Sequence, residues 1–414
     1  MVINLKKTLI ILILPGLVLL NSCQADFSSL IDDQAQVAEA APIIFPTHIA
    51  LKSTETPETT QSITGQVVPT PTDISLMQQT TTQQVIGAVN ALPEVNPLTG
   101  LPVENPENLN RLPVLVKVSN FPAVPGRPHA GLSYADMVFE YYIGEYMNRF
   151  LAVYYGQDTP KAWPLRSGRL IDPQLVNMYQ GILVYGSADE RVDEIILTEL
   201  GMRAISNLNA PCPPICGKLT HSATGVYVDT ASVTEFTSRH GVNNIRPDLR
   251  GMLFSDALPE TDQYGISVLV QYIRWNRGEW RYDAQSGKYL RWIESWQDGD
   301  QYPLIPLVDQ LNGEQIAFSN VVILFANYIE YNYLLHDVEI WDNTDMQRAV
   351  FFRDGLMVDG YWRAPLRDHP IQFFNQNGLP MQLKPGNTWI VIAGKTSEYS
   401  QTSPGQWQML FDLP

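Results

Sequence analysis

Cysteine is scarce, at three residues in 414. That excludes a disulfide-stapled miniprotein, and a chain of this length with 45% hydrophobic residues can bury cores of its own, enough for two or three domains. Positive charge is also short. The 27 Lys and Arg face 43 Asp and Glu, a formal net charge of −16. Such a surface lacks the broad positive field that draws in phosphates, so a general nucleic-acid binder and a polybasic membrane-surface protein are excluded. Beyond the N-terminus no 18 consecutive apolar residues occur, and no transmembrane helix is expected. Common nucleophile signatures are missing too: there is no Gly-x-Ser-x-Gly elbow, and no lysine has a serine three residues before it. Gly394-Lys395-Thr396 imitates the end of a phosphate loop, but Trp389 stands where the loop needs glycine. The six histidines are scattered without a His-Glu-x-x-His pair, so neither a metal nor a cofactor is expected.

The N-terminus points to export. Lys6 and Lys7 precede an apolar run from Leu9 to Leu20, too short to cross about 30 Å of hydrocarbon, and Leu20-Asn21-Ser22-Cys23 looks like a bacterial lipobox. Residues 1–22 then form a lipoprotein signal peptide, and Cys23 carries the lipid that anchors the outward-facing chain to the cell membrane. From Gln24 to about Ala91 Thr, Gln, Pro and Ala dominate and Lys52 is the one base. Segments such as Pro69-Thr70-Pro71-Thr72 bury too little to offset chain entropy, so residues 23–95 are expected to be a disordered tether.

The remainder predicts a mixed α+β protein. In 96–258 strands at Val114–Ser119, Met137–Tyr142, Arg149–Gly156 and Ile182–Ser187 alternate with helices at Ile171–Tyr179, Asp189–Leu200 and Ser232–His240, the last opened by a Ser232-x-x-Glu235 capping box. This is an α/β pattern. In 259–414 helical periodicity vanishes and runs such as Ser267–Trp275, Lys288–Ile293, Asn320–Tyr328 and Thr388–Ala393 are separated by turns at Gln285-Ser286-Gly287, Asn312-Gly313, Asp354-Gly355 and Asn377-Gly378. A β-rich antiparallel domain follows. Its tryptophans, Trp275, Trp280, Trp292, Trp296 and Trp362 among them, fit core positions better than sugar-stacking ones.

Three groups of residues could carry function. Arg127, His129, Arg149, Arg166 and Arg169 form a basic group in an acidic protein, and guanidinium forks suit carboxylate or phosphate, as an anionic wall polymer would present; alternatively each arginine pairs with Asp136, Glu140 or Asp172 to order loops. Cys212 and Cys216 are four apart in an exported protein and read as a disulfide, with a thiolate or metal site including His221 as the alternative. His221 with Asp136, Glu140 or Glu190 could supply acid–base chemistry to a wall glycan hydrolase or transferase if they share a cleft. Yet Asp189-Glu190-x-x-Asp193-Glu194 is explained by negative charge at a helix start.

The order of motifs resembles the YerB-like family of bacterial lipoproteins, built from two consecutive domains of unknown function. The resemblance runs from Asn96-Pro97-Leu98-Thr99-Gly100 through Arg127-Pro128-x-x-Gly131-Leu132-x-x-Ala135-Asp136 and Arg166-Ser167-Gly168-Arg169 to Tyr289-x-Arg291, Phe352-x-Asp354-Gly355 and Leu383-x-Pro385-Gly386-x-Thr388-Trp389. The chain departs from it at Gly144-Glu145-Tyr146-Met147, where the family carries Glu-Gly-Gly, and at His221-Ser222, where it favours His-Asn. The resemblance implies a lipid-anchored, two-domain envelope protein and transfers no activity. The expectation is a noncatalytic binding or accessory lipoprotein engaging an anionic wall component or a protein partner, the latter through exposed strand edges.

Overall fold

The computed structural model describes residues 93–218, 224–297 and 299–413, which fall within one compact unit of the chain. The signal peptide, Cys23, the tether through residue 92 and His221 lie outside the described residues.

The first half contributes β1 (Val114–Ser119), β2 (Met137–Gly144), β3 (Met147–Tyr154), α1 (Ile171–Met178), β4 (Ile182–Tyr185), α2 (Glu190–Leu200), β5 (Ala204–Ser206), β6 (Ile215–Gly217), β7 (Val226–Val228) and α3 (Ala231–Arg239). After β8 (Leu253–Phe254) come β9 (Ser267–Ile273), β10 (Asn276–Asp283), β11 (Lys288–Glu294), β12 (Leu304–Pro306), β13 (Ala317–Phe318), β14 (Asn320–Asn332), β15 (Leu335–Glu339), β16 (Asn343–Arg353), β17 (Leu356–Ala364), β18 (Gln372–Asn375), β19 (Gln382–Leu383), β20 (Thr388–Gly394), β21 (Glu398–Ser403) and β22 (Gln406–Leu410). Strand dominates, and the expected helices and turns stand close to where periodicity and turn residues put them. The capping box does not form: α3 starts after Thr230 without a side-chain cap, while Ser232 donates to Asp229 at 2.6 Å and Glu235 pairs with Arg239 at 3.5 Å.

One sheet has eleven strands, running β18-β17-β16-β14-β20-β2-β3-β1-β4-β5 with β15 paired beside β14. Strands of 96–258 and of 259–414 therefore share it, joined by parallel pairing of β2 with β20 from Met137↔Thr388 to Tyr141↔Ile392. The later segment is correspondingly not purely antiparallel, since β20 is parallel to β14 as well. The reason lies in Trp389-Ile390-Val391-Ile392-Ala393, apolar on both faces and buried along its length, which suits a central strand covered above and below. The second sheet, β12-β11-β10-β9-β22-β21 with β13 beside β11, comes wholly from the later segment.

Side-chain alternation divides the large sheet into two chemically different faces. Val114, Val116, Val118, Phe150 and Ala152 enter the space between the sheets and join Val268, Val270, Trp280, Tyr289 and Phe318 in one core. Each such side chain contributes about 1.5–3 kcal/mol on burial. On the opposite face α1 covers the strands, with Tyr179 at its end placing its ring 5.4 Å from that of Phe139, and Asp172 reaching Lys117.

The apolar space between the sheets contains an ion pair. Glu140 on β2 accepts from Arg291 on β11 at 3.1 Å, from the Asn148 amide at 2.6 Å and from Trp389 Nε1–H at 2.8 Å. The Arg291 guanidinium lies 5.0 Å from the Trp280 ring and 5.3 Å from that of Trp389. Gly278 leaves the room: a Cβ there would stand 2.4 Å from Arg291 Nη2. Desolvation of both charges makes the intact pair a weak source of net stability and the broken pair a costly one. Arg291→Ala should therefore lower the unfolding free energy by about 3–5 kcal/mol. The Glu140→Gln/Arg291→Met double variant, which leaves no bare charge, should recover most of it; urea melts of the single and double variants against the parent check both.

Candidate functional site

Lys117 is the one charge in Val-Leu-Val-Lys-Val-Ser, and it points to the helix-covered face. Its ammonium donates to Asp172 Oδ1 at 2.9 Å, and both side chains are 0% exposed. The Tyr141 hydroxyl closes a three-way contact with these two groups. Asp172 stands in the first turn of α1, and its other oxygen accepts the Arg169 backbone N–H at 2.7 Å. Burial pushes the Lys117 ammonium down to about 7; Asp172 opposes this and neighbouring Arg149 adds to it.

Three arginines gather around this core. Arg149 follows from strand register: it faces Tyr141 across β2–β3 and Ser119 across β1–β3, so its side chain shares the face of Tyr141 and Lys117. Arg166 and Arg169 come from the loop into α1, which is laced to the strand ends by Arg166 N–H to Lys117 O at 2.9 Å and Gly168 N–H to Ser187 O at 2.7 Å. Arg149 donates to Ser167 O at 2.7 Å and Arg169 to Gly168 O at 2.8 Å, both backbone carbonyls. Burial holds the Arg149 guanidinium well below its usual range, and the nearby Arg169 and Arg166 charges deepen this. Among the described residues none of the three forms an ion pair, and Nε of both Arg166 and Arg169 has no partner. Four basic side chains thus gather near Asp172, with Arg166 and Arg169 half-buried at the rim and Asp189 acting on Arg169 as well.

The expected basic group is therefore two separate places. Arg127 leaves it and pairs with Glu294 at 2.7 Å, tying the first half to β11. His129 is buried, its Nε2–H donating to Ser119 O at 2.8 Å, while Nδ1 has no partner. Gly131 and Ser133 donate their N–H groups to Asp309 at 2.9 and 2.8 Å. The segment from Arg127 to Asp136 is thus a docking strap held by the later segment. Of the carboxylates considered as arginine partners, only Asp172 meets the arginines that remain together.

Of the acid–base candidates His221 lies outside the described residues, and the three carboxylates hold separate places. Asp136 is buried and accepts from the N–H groups of Tyr155 and Gly156 at 2.7 and 2.8 Å, although burial still raises its carboxyl to about 6. Glu140 lies four residues along the strand, about 13 Å in backbone rise, locked to Arg291. Glu190 is exposed at the start of α2, whose N-cap is Asp189, as helix-start chemistry requires. Cys212 and Cys216 are joined in a disulfide. Among the described residues no His, Cys, Asp and Glu group is placed to hold a metal, and no helix is long and apolar enough to cross a membrane. Sequence reasoning missed Lys117, Tyr141 and Arg291; a lone lysine within an apolar strand was the available signal for the first.

Comparison with known proteins matches residues 98–241 to the "Protein of unknown function (DUF3048) N-terminal domain" and 268–390 to the "Protein of unknown function (DUF3048) C-terminal domain". The chain is 26% identical over 321 residues to the "Putative lipoprotein YerB" of Bacillus subtilis (strain 168), covering 72% of this chain and 85% of the relative. The crystal structure of YerB from Bacillus subtilis superposes with a TM-score of 0.58 at 23% identity, over 72% of this chain and 96% of that one, and shares the fold.

Burial, and after it the Arg127 charge, pushes the His129 imidazole from 6.5 down to about 3. Between those values the unfolded chain holds a proton that the folded one refuses, so stability falls as pH drops from 6.5 toward 3. Wild type should lose stability more steeply than His129→Gln across this window. The raised Asp136 has the opposite slope between 3.8 and 6 and is common to both proteins. Chemical denaturation along a pH series reads the difference, and parallel curves would sink the assignment.

Proposed function

The chain belongs to the DUF3048 family, and from that premise we propose that it is a lipid-anchored envelope protein whose folded body binds an anionic ligand without transforming it. The name of the Bacillus subtilis relative and the lipobox-like Leu20-Asn21-Ser22-Cys23 support the anchor. One observation carries the binding role: Lys117, Arg149, Arg166 and Arg169 gather near Asp172, with Asp189 as a further carboxylate acting on Arg169, and among the described residues none of the three arginines forms an ion pair, in a protein of net charge −16. Concentrated positive charge is unfavourable in an unliganded fold, and an anion with several oxygens relieves it through charge-assisted hydrogen bonds. A phosphate- or carboxylate-bearing wall polymer has that chemistry. Catalysis is not favoured, because Asp136 and Glu140 are occupied by separate structural contacts and Glu190 stands exposed at a helix start.

Retention of the whole chain on purified wall polymer tests the reading. Arg166→Ala and Arg169→Ala should each weaken retention by about tenfold or more. Thermal stability should hold or rise, because neither guanidinium is in an ion pair and each removal lessens the crowded charge. Unchanged retention, or lost stability with retained binding, would overturn the site. Time-dependent release of glycan or peptide fragments would overturn the noncatalytic role.

A further inference from the structure

At another corner two hairpin tips and the C-terminal segment enclose a cavity of about 480 Å³. The tips are pressed together at Gly144, where a Cβ would come within 2.6 Å of Tyr333 O. Four aromatic side chains line the space: Tyr142, Tyr146, Tyr333 and Phe411. The Tyr142 and Phe411 rings lie 4.8 Å apart, whereas Tyr146 and Tyr333 are 55% and 63% exposed. Exposed tyrosines beside a cavity are apolar faces awaiting a partner.

The charge around these rings has one sign. Glu145, Glu330, Asp412 and Leu413 complete the lining, which includes neither lysine nor arginine. His336 Nε2 lies 3.2 Å from Glu330, but burial lowers the imidazole below its ordinary value, with Arg169 contributing, so at neutral pH it is uncharged and leaves the carboxylate negative. Burial first, and then Glu330 and Glu145, raises the Tyr142 hydroxyl above its usual range, as a negative potential inside the cavity requires. The edge of the His336 ring packs against Tyr142 at 5.0 Å and helps hold that wall.

We propose that this cavity binds an organic ammonium group, held against the exposed rings of Tyr146 and Tyr333 beside the packed Tyr142 and countered by Glu145 and Glu330. Ring faces attract cations through their quadrupoles, and the attraction grows when rings and carboxylates act together in a partly desolvated space. A neutral apolar ligand would gain the rings and leave the carboxylates unanswered; an anion would be repelled. The site shares no ligand-contacting residue with the arginine cluster, and its reading stands whether or not that cluster binds anions.

The test uses the full chain and two probes of the same shape, choline and its uncharged isostere 3,3-dimethyl-1-butanol, titrated while tyrosine fluorescence is followed. Choline should bind about tenfold or more tightly than the isostere. Tyr146→Asn removes one ring while tolerating the positive φ of that position, and Glu330→Gln removes one charge; each should weaken choline about tenfold with an unchanged thermal melt. Equal affinity for the two probes would overturn the proposal, as would no choline binding into the tens of millimolar. Choline affinity unchanged in both variants would overturn it too.

Discussion

The ion pair between Glu140 and Arg291 is the constraint on which the two-sheet arrangement depends. A carboxylate and a guanidinium between apolar sheets are tolerated only when their surroundings compensate for lost water. Asn148 and Trp389 donate to the carboxylate, and the guanidinium, whose Nε and Nη1 find no hydrogen-bond partner, is held by Glu140, the faces of Trp280 and Trp389 and the space left at Gly278. These residues come from β2, β3, β20, β10 and β11, so the pair is satisfied only when both halves are assembled in register. The Arg127–Glu294 pair and the Asp309 contacts make the same crossing nearer the surface. Hydrophobic burial supplies the driving force, and these polar crossings select one way of packing.

The same logic applied to the opposite face gives the opposite result. Lys117 and Asp172 answer each other inside the sheet-helix interface, but Arg149, Arg166 and Arg169 add three charges against the more distant Asp189, and none forms an ion pair among the described residues. Arg149 and Arg169 donate to backbone carbonyls, which satisfy donors yet do not neutralise. A charge excess held by strand register and a laced loop is an arrangement that costs stability in the absence of an anion, which is the physical sense in which this cluster differs from the structural arginines at 127 and 291.

Local elements were legible because their signals are local. The strand at Val114–Ser119 has the ends that its apolar run suggests, and Asp354-Gly355 makes the turn that its composition requires. What sequence could not show is which strand neighbours which. The parallel pairing of β2 with β20 joins residues about 250 apart, and no periodicity reports it. The same ignorance grouped Arg127 and His129 with Arg149, Arg166 and Arg169: proximity in the chain stood in for proximity in space. Only pairing and parity separate a strap held by Glu294 and Asp309 from a cluster around Asp172.

Parity also couples the two charged sites. Glu140 and Tyr141 are consecutive on β2, and Asn148 and Arg149 are consecutive on β3, so each pair sends one residue to the ion pair between the sheets and the next to the cationic cluster. A one-residue slip of either strand would place Tyr141 or Arg149 in the inter-sheet core and turn Glu140 or Asn148 toward the helix. The ion pair would then lose its acceptor or its amide at the same moment as the cluster lost a member. Register in the β2–β3 hairpin is therefore held from both faces, and the network that fixes the sheets against each other also fixes how far Arg149 stands from Lys117, Arg166 and Arg169. The capacity to gather unpaired charge on one face follows from a paired charge on the other.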